Sequence, residues 1–183
     1  MRKTLIFGDR EAAFLQELIR RKVDFMIVGL SAAALQGAPV VTQDVDLWFR
    51  DLNDPGIRKA LKAVGGAYVP SIGLNPPAFA GDAVNLFDIV VHMHGLGSFD
   101  AERVWTVRLP LGRFKLTVLL LERIIVSKRA AARMKDKLVL PVLSDALLAL
   151  QERNKRHCGR LKTASGTRRV GTHRKPQRRM GSE

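Results

Sequence analysis

The sequence has few of the residues that stabilise small secreted proteins or anchor proteins in membranes. Its single cysteine excludes an internal disulfide framework and any zinc site built from several cysteines. No apolar run approaches the roughly 18–20 residues that span a bilayer. The apolar stretch near the N-terminus is too short for a signal peptide. We therefore expect a soluble, cytoplasmic protein that does not bind a membrane.

Acidic residues are scarce towards the C-terminal end. Residues 1–150 hold 20 Lys and Arg against 15 Asp and Glu, a net charge of +5, whereas residues 151–183 hold 11 against 2, a net charge of +9. The second segment has few large apolar residues, so it cannot bury enough surface to offset the entropy of ordering it. We predict a folded domain over 1–150 and a disordered basic tail over 151–183. The tail has no aromatic residue to stack on bases, but its cations can neutralise phosphates.

Helical and strand periodicities alternate along the first 150 residues. The predicted helices cover residues 10–21, 31–36, 54–64, 121–133 and 138–150. The predicted strands cover residues 25–28, 44–49, 84–91, 104–109 and 113–119, with a loop over 70–82. The last two strands are predicted to form a hairpin. This order indicates an α/β or α+β fold with a mixed, twisted sheet flanked by helices.

Three aspartates on predicted strands stand out by their positions. Asp44 and Asp46 are two residues apart, so their side chains point to the same face of a strand. Asp88 lies within an apolar strand, where a lone carboxylate is costly without a partner. Like charges raise each other's pKa unless a cation lies between them, and Mg²⁺ prefers such oxygen ligands. We predict that the three aspartates hold one or two Mg²⁺ ions for phosphoryl or nucleotidyl transfer. Solvated charges at a strand edge are the alternative.

A glycine and a serine stand upstream, at a strand-to-helix turn. Gly29 ends an apolar strand, and Ser31 opens an alanine-rich helix. A glycine lets the backbone approach a phosphate, while a helix N-terminus supplies N–H donors and a positive dipole end. We predict that Gly29 and Ser31 form a turn that binds the phosphates of a nucleotide. The alternative is a simple turn that starts a helix.

Three short segments together form a family pattern. Residues 27–37 read IVGLSAAALQG, residues 41–47 read VTQDVDL, and Asp88 follows between hydrophobic residues. This pattern resembles the DNA polymerase beta superfamily of nucleotidyltransferases, most closely its small stand-alone bacterial and archaeal members. Some of those proteins belong to toxin–antitoxin or abortive-infection pairs. Residues 127–136, SKRAAARMKD, are similar to a helix that often ends them, and the resemblance covers about residues 20–148.

The resemblance implies a nucleotidyltransferase fold and a definite reaction. A nucleoside monophosphate would move from a nucleoside triphosphate such as ATP to a hydroxyl group, with release of pyrophosphate. The catalytic residues and Mg²⁺ ligands that the resemblance implies are Asp44, Asp46 and Asp88. It also implies that Gly29 and Ser31 bind the nucleotide. Lys128 is a further candidate, because its ammonium suits a flexible triphosphate, and a solvated helix face is the alternative.

The acceptor and the partners are less sharply indicated. We expect a protein side chain or an RNA end as acceptor, with a cognate partner protein or a homodimer completing the site. Leu30 stands where relatives have Gly or Ser, Val40 where many have Arg, and Gln36 where His is common. These departures motivate a second hypothesis, a catalytically silent component of a toxin–antitoxin or binding system. A third is nucleic-acid binding through residues 153–179.

Overall fold

A mixed five-stranded sheet forms the centre of the structure, a computed structural model that describes residues 7–164. Its strands are β1 (Phe25–Ile27), β2 (Val45–Phe49), β5 (Phe87–Val90), β6 (Thr106–Leu111) and β7 (Phe114–Leu119). They lie in the order β5-β2-β1-β7-β6. β1 runs antiparallel to β2 and parallel to β7, while β2 runs parallel to β5. The mixed sheet and the β6–β7 hairpin confirm the predictions made from the sequence.

Six helices and a smaller two-stranded sheet complete the described chain. The helices are α1 (Asp9–Arg20), α2 (Gly29–Leu35), α3 (Pro55–Ala63), α4 (Phe99–Glu102), α5 (Leu121–Ala131) and α6 (Met134–Ala164). The smaller sheet pairs β3 (Ala67–Val69) antiparallel with β4 (Ala78–Ala80). Over residues 7–164, none of these helices combines the length and the apolar character needed to cross a membrane.

The core forms where α1 packs against the two sheets. All three residues of β1 are buried at the centre of the sheet. Phe14 of α1 is fully buried, and its ring lies 5.5 Å from the ring of Phe79 and 5.2 Å from that of Phe87. Burying a side chain of this size contributes roughly 1.5–3 kcal/mol. These aromatic contacts connect α1 with both sheets.

The region predicted as a loop over 70–82 contains a strand. β4 lies within it and pairs with β3, and the short helix α4 was not predicted either. Segments of three or four residues are too short to show a period in the sequence. Their structure comes from tertiary contacts instead, because Phe79 of β4 packs against the rings of Phe14 and Phe49.

The C-terminal helices differ from their predicted bounds. α5 ends at Ala131, and Ala132 has a left-handed backbone with φ of +51°, so residues 127–136 do not form one helix as expected. α6 runs to Ala164, past the predicted end at residue 150, because residues 151–164 remain rich in good helix formers after the apolar period stops.

The described chain divides into two compact units between Leu148 and Ala149. The first unit holds both sheets and helices α1 to α5. The second unit begins with the continuation of α6 from Ala149. Residues 151–164 of the predicted disordered tail are helical as part of α6. Residues 165–183 lie outside the described residues, so their disorder and the domain boundary at residue 150 stay predictions.

Candidate active site

Two of the predicted site aspartates stand side by side in the sheet. β2 and β5 are parallel neighbours, and their register sets Asp46 opposite Asp88. Paired residues on adjacent strands project from the same face of a sheet, so both carboxylates emerge on one side. Asp46 is half-buried, whereas Asp88 is exposed because β5 is an edge strand. The pairing of β2 with β5 is what brings Asp88 to the same side of the sheet as Asp46.

Asp44 lies just before β2 rather than within it, and it is exposed. Its carbonyl oxygen accepts a hydrogen bond of 3.0 Å from the Thr42 hydroxyl. Its charge nevertheless raises the pKa of both Asp46 and Asp88. The charge of Asp44 therefore acts on both members of the Asp46–Asp88 pair.

The ionisation of these carboxylates is opposed by their surroundings. Burial raises the pKa of Asp46 to about 6, the charges of Asp88 and Asp44 add to the rise, and Lys128 offsets part of it. Burial and the charge of Asp44 raise the pKa of Asp88 as well. The oxygen donors and their unbalanced charge suit a hard divalent cation. Within residues 7–164, no three His, Cys, Asp or Glu side chains are gathered closely enough to hold a metal ion, so the predicted ligand set stays a prediction.

The Gly29 backbone lies against the carboxylate of Asp46. Gly29 has φ of +65°, and a Cβ atom built on it would lie 1.8 Å from Oδ2 of Asp46. Only glycine therefore fits this place, both for its left-handed backbone and for the space that Asp46 occupies. The residue joins β1 to α2 directly beside the aspartate pair.

The side chain of Ser31 points into the protein, whereas we expected it to bind the phosphates of a nucleotide. It is fully buried, and its hydroxyl donates a hydrogen bond of 2.9 Å to the carbonyl of Val28. This bond stabilises the turn from the inside. Gln36, at the other end of α2, donates to the Leu119 carbonyl and accepts from the Leu121 N–H, at 2.9 and 3.0 Å. The glutamine that replaces a common histidine therefore connects α2 to the junction of β7 and α5.

A buried carboxylate holds two cations beside the aspartates. Asp136 is fully buried and accepts hydrogen bonds of 2.8 Å from Nζ of Lys128 and 2.7 Å from Nε of Arg133. Burial raises the pKa of Asp136, but these two bonds outweigh it and hold the pKa below its usual value. The break at Ala132 makes the cluster possible, because eight residues of straight helix would separate Lys128 from Asp136 by about 12 Å along the axis.

These elements enclose a cleft of about 220 Å³. Gly29 and Asp46 line it from the sheet, Lys128 and Arg133 from the helical side, and His92 and His94 from the loop after β5. Both histidines are exposed, and their ring centroids are 5.3 Å apart with the ring planes nearly perpendicular. The cleft thus combines a carboxylate, two fixed cations and two imidazoles.

The structure brings half of the predicted site residues into this cleft. Those that line it are Gly29, Asp46 and Lys128. Asp88 and Asp44 adjoin it through their charge interactions with Asp46, whereas Ser31 lies inside the protein. Arg133 and Asp136 were not predicted as site residues. Their spacing indicated an ion pair, but a continuous helix gave no reason to join both of them to Lys128.

Comparison with known proteins identifies the fold. No protein-family model and no curated protein matches this sequence. The crystal structure of ANT(2″)-Ia in complex with adenylyl-2″-tobramycin aligns with a TM-score of 0.51 at 13% identity, over 82% of this chain and 95% of that chain. The solution structure of the antibiotic-resistance factor ANT(2″)-Ia aligns with a TM-score of 0.51 at 12% identity, over 85% and 95%.

A further solved structure is an antigenic nucleotidyltransferase-like protein from Paracoccidioides brasiliensis. It aligns with a TM-score of 0.42 at 16% identity, over 85% of this chain and 94% of that chain. The likeness to ANT(2″)-Ia, together with the mixed sheet and its flanking helices, shows that this chain has a nucleotidyltransferase-like fold.

Proposed function

We propose that this chain is a Mg²⁺-dependent nucleotidyltransferase that moves a nucleoside monophosphate from a nucleoside triphosphate to an acceptor hydroxyl. The observation that carries the proposal is the register that sets Asp46 beside Asp88, with the Gly29 backbone against Asp46. The motif resemblance to small stand-alone members of the DNA polymerase beta superfamily supports it. The shared fold with ANT(2″)-Ia, whose crystal structure holds adenylyl-2″-tobramycin, agrees with this class of reaction.

Asp44, Asp46 and Asp88 are the residues that would hold Mg²⁺, in a site for one or two ions. Within residues 7–164 no three such side chains lie closely enough in this structure, so Asp44 would have to approach the Asp46–Asp88 pair. Their carboxylate oxygens are the ligands that this cation prefers. Burial and then neighbouring negative charge raise the pKa of Asp46 and Asp88, and a bound cation would favour their ionised forms. Bound Mg²⁺ supplies charge neutralisation of the triphosphate and a lower pKa for the attacking hydroxyl.

The side chains of the cleft have distinct tasks in the proposed transfer. The acceptor oxygen bonds to the α-phosphorus, the bond from that phosphorus to the bridging oxygen breaks, and pyrophosphate leaves with the electron pair. Lys128 and Arg133 provide positive charge for the departing pyrophosphate, and Asp136 fixes the position of both. Asp88, exposed on the edge strand, would accept the proton of the acceptor hydroxyl.

The acceptor that we propose is an RNA end or a protein side chain. The formal net charge of +9 over residues 151–183 favours a polyanion such as RNA. A cognate partner protein or a second copy of the chain would complete the acceptor side of the site.

A second candidate function is a catalytically silent component of a toxin–antitoxin or binding system. The observation that favours it is the burial of Ser31, whose hydroxyl is bound to Val28 instead of facing the cleft. The replacements at Leu30 and Val40 point the same way, because relatives have Gly or Ser at the first position and many have Arg at the second.

Labelling with radioactive nucleotides tests the proposal. The full chain is incubated with Mg²⁺ and each α-³²P-labelled nucleoside triphosphate, with bulk RNA and cell lysate as acceptors. We expect label transfer by the wild-type chain and its loss in the Asp44→Asn/Asp46→Asn variant. Asp145→Asn is the matched control, because Asp145 is exposed on α6 and does not line the cleft.

The outcomes separate the two candidates. Transfer that persists in the control and stops on chelation of Mg²⁺ supports the enzyme. Absence of transfer with every nucleotide and both acceptors, together with no shift of the melting temperature by Mg²⁺ and ATP, would favour the silent component.

A further inference from the structure

A second groove, of about 280 Å³, lies at the other end of β1 from the cleft. The cleft is lined by Gly29, which follows β1, whereas this groove is lined by Phe25, the first residue of the strand. The two sets of lining residues have no member in common within the described chain. The proposed nucleotidyl transfer therefore gives this groove no task.

The groove carries a marked excess of positive charge. Its lining residues include Lys22, Arg103, Arg108 and Lys115, and among the described residues that line it, Asp24 alone is acidic. Asp24 is already shared, because it lies 3.3 Å from Arg103 and 3.5 Å from Arg50.

Two hydroxyl groups add hydrogen-bonding capacity to this charge. Arg108 and Lys115 stand on the outer face of the β6–β7 hairpin with Thr106 and Thr117, while Leu116 on the other face is buried. Arg108 donates to the hydroxyl of Thr117 at 3.2 Å, a neutral partner that does not balance the charge of the guanidinium.

The backbone of Lys22 has a conformation that is unfavourable for a residue other than glycine. It is the residue after the C-cap of α1 and has a left-handed backbone with φ of +59°. Hydrogen bonds from Val23 N to the Leu18 carbonyl and from Lys22 N to the Ile19 carbonyl form the motif in which glycine is the preferred residue. A lysine therefore stands where glycine is the usual residue, and its side chain lines the cationic groove.

We propose that this groove binds phosphate groups. Several cations around one groove suit an anion of multiple charge, and guanidinium, ammonium and hydroxyl groups are the usual donors to phosphate oxygens. The aromatic residues of the lining, Phe25 and Phe99, are buried and present no face for base stacking. Recognition is therefore by charge, and the phosphates come either from a free anion such as pyrophosphate or from a nucleic-acid strand.

Binding of two probes to the full chain tests this assignment. A short oligouridylate and inorganic pyrophosphate are titrated without Mg²⁺ into the wild-type chain and into the Lys22→Gly/Lys115→Gln variant. Lys59→Gln/Lys62→Gln is the matched control, because it removes two exposed lysines of α3 that do not line the groove. Lys22→Gly also relieves the left-handed lysine, so we expect the melting temperature of the groove variant to rise by roughly 2 °C.

We expect the groove variant to bind at least one probe roughly tenfold more weakly at low salt, with the control close to wild type. For oligouridylate, the slope of log affinity against log salt should flatten by about 1.4, since each neutralised phosphate of a single strand contributes about 0.7. Loss with pyrophosphate alone identifies a free anion, and loss with oligouridylate identifies a strand. Wild-type affinity of the groove variant for both probes, or an equal loss in the control, would overturn the proposal.

Discussion

The pKa values of the carboxylates on the two sides of the cleft are shifted in opposite directions. On the helical side, Asp136 is buried, and bonds from Arg133 and Lys128 hold its pKa low. On the strand side, burial and the charge of Asp88 raise the pKa of Asp46 to about 6. The cleft therefore holds two cations, but much of their charge is already balanced by Asp136. The strand side is the part of the cleft that an added cation would stabilise.

A second buried carboxylate, away from the cleft, behaves like Asp136. Glu102 accepts both hydrogen bonds of the Arg123 guanidinium, at 2.6 and 2.7 Å, and one of 3.0 Å from the N–H of Gly97. The bond from Arg123 is the largest cause of its lowered pKa. Burial with a full set of partners is thus how this fold accommodates structural carboxylates, and Asp46 departs from that arrangement.

Substitution of Asp46 should have the largest effect. Asp46→Asn removes a proposed metal ligand, so we expect label transfer to fall by roughly 10²–10³-fold. It also removes a desolvated charge next to Asp88, so we expect the fold to gain about 1–2 kcal/mol at neutral pH. Transfer assays and urea denaturation measure the two effects, with Asp145→Asn as control. Loss of both activity and stability would show that Asp46 is a structural residue.

Removal of the carboxylate on the helical side should have the opposite effect on stability. Asp136→Asn leaves Lys128 and Arg133 without their counterion, so we expect a loss of about 2–4 kcal/mol. The two cations would also lose their fixed position, so KM for the nucleoside triphosphate should rise roughly tenfold. An unchanged KM in the folded variant would mean that the cluster does not contact the triphosphate.

Substitution in the ion pair of Glu102 with Arg123, away from the cleft, should affect stability alone. Glu102→Gln breaks a buried ion pair with Arg123, and we expect a loss of roughly 2–3 kcal/mol in urea denaturation. Glu152→Gln is the matched control, because the pair of Glu152 with Lys155 is exposed and should contribute nothing measurable. Specific activity of the folded fraction should stay at the wild-type level, and its loss would connect this pair to the site.

The pH dependence of stability should carry opposite signs for the two kinds of carboxylate. The pKa of Glu102 is lowered on folding, so its contribution is complete above its ordinary value of 4.5 and is lost as pH falls below it. The pKa of Asp46 is raised, so its protonated form favours the folded state, and stability declines as pH rises from 3.8 to about 6.

Denaturation of the wild type, Glu102→Gln and Asp46→Asn across this range in EDTA measures both contributions. The wild-type advantage over Glu102→Gln should shrink at low pH, and its deficit against Asp46→Asn should grow towards neutral pH. Parallel curves for the three proteins would contradict the assigned shifts.

The sequence predicted the parts of the site that follow from local patterns. Strand period and apolar runs placed Asp46 and Asp88 on strands, but the pairing of those two strands is seen only in the structure. The cation cluster was not predictable in this way, because it depends on a left-handed residue at Ala132, which carries no turn signal such as glycine or proline. The short strands β3 and β4 were missed for a similar reason, since the contacts of Phe79 define them rather than any period.

Ser31 gives the smallest expected effect and the sharpest contrast with Asp46, because both residues adjoin the Gly29 turn. Ser31→Ala leaves the buried Val28 carbonyl without the hydroxyl that donates to it, so we expect a loss of about 1 kcal/mol in urea denaturation. Transfer should stay within about twofold of wild type, since the hydroxyl points into the protein. A tenfold loss of transfer at unchanged stability would instead mean that the hydroxyl leaves Val28 to bind the triphosphate. The turn would then act on the substrate through its side chain as well as through the Gly29 backbone.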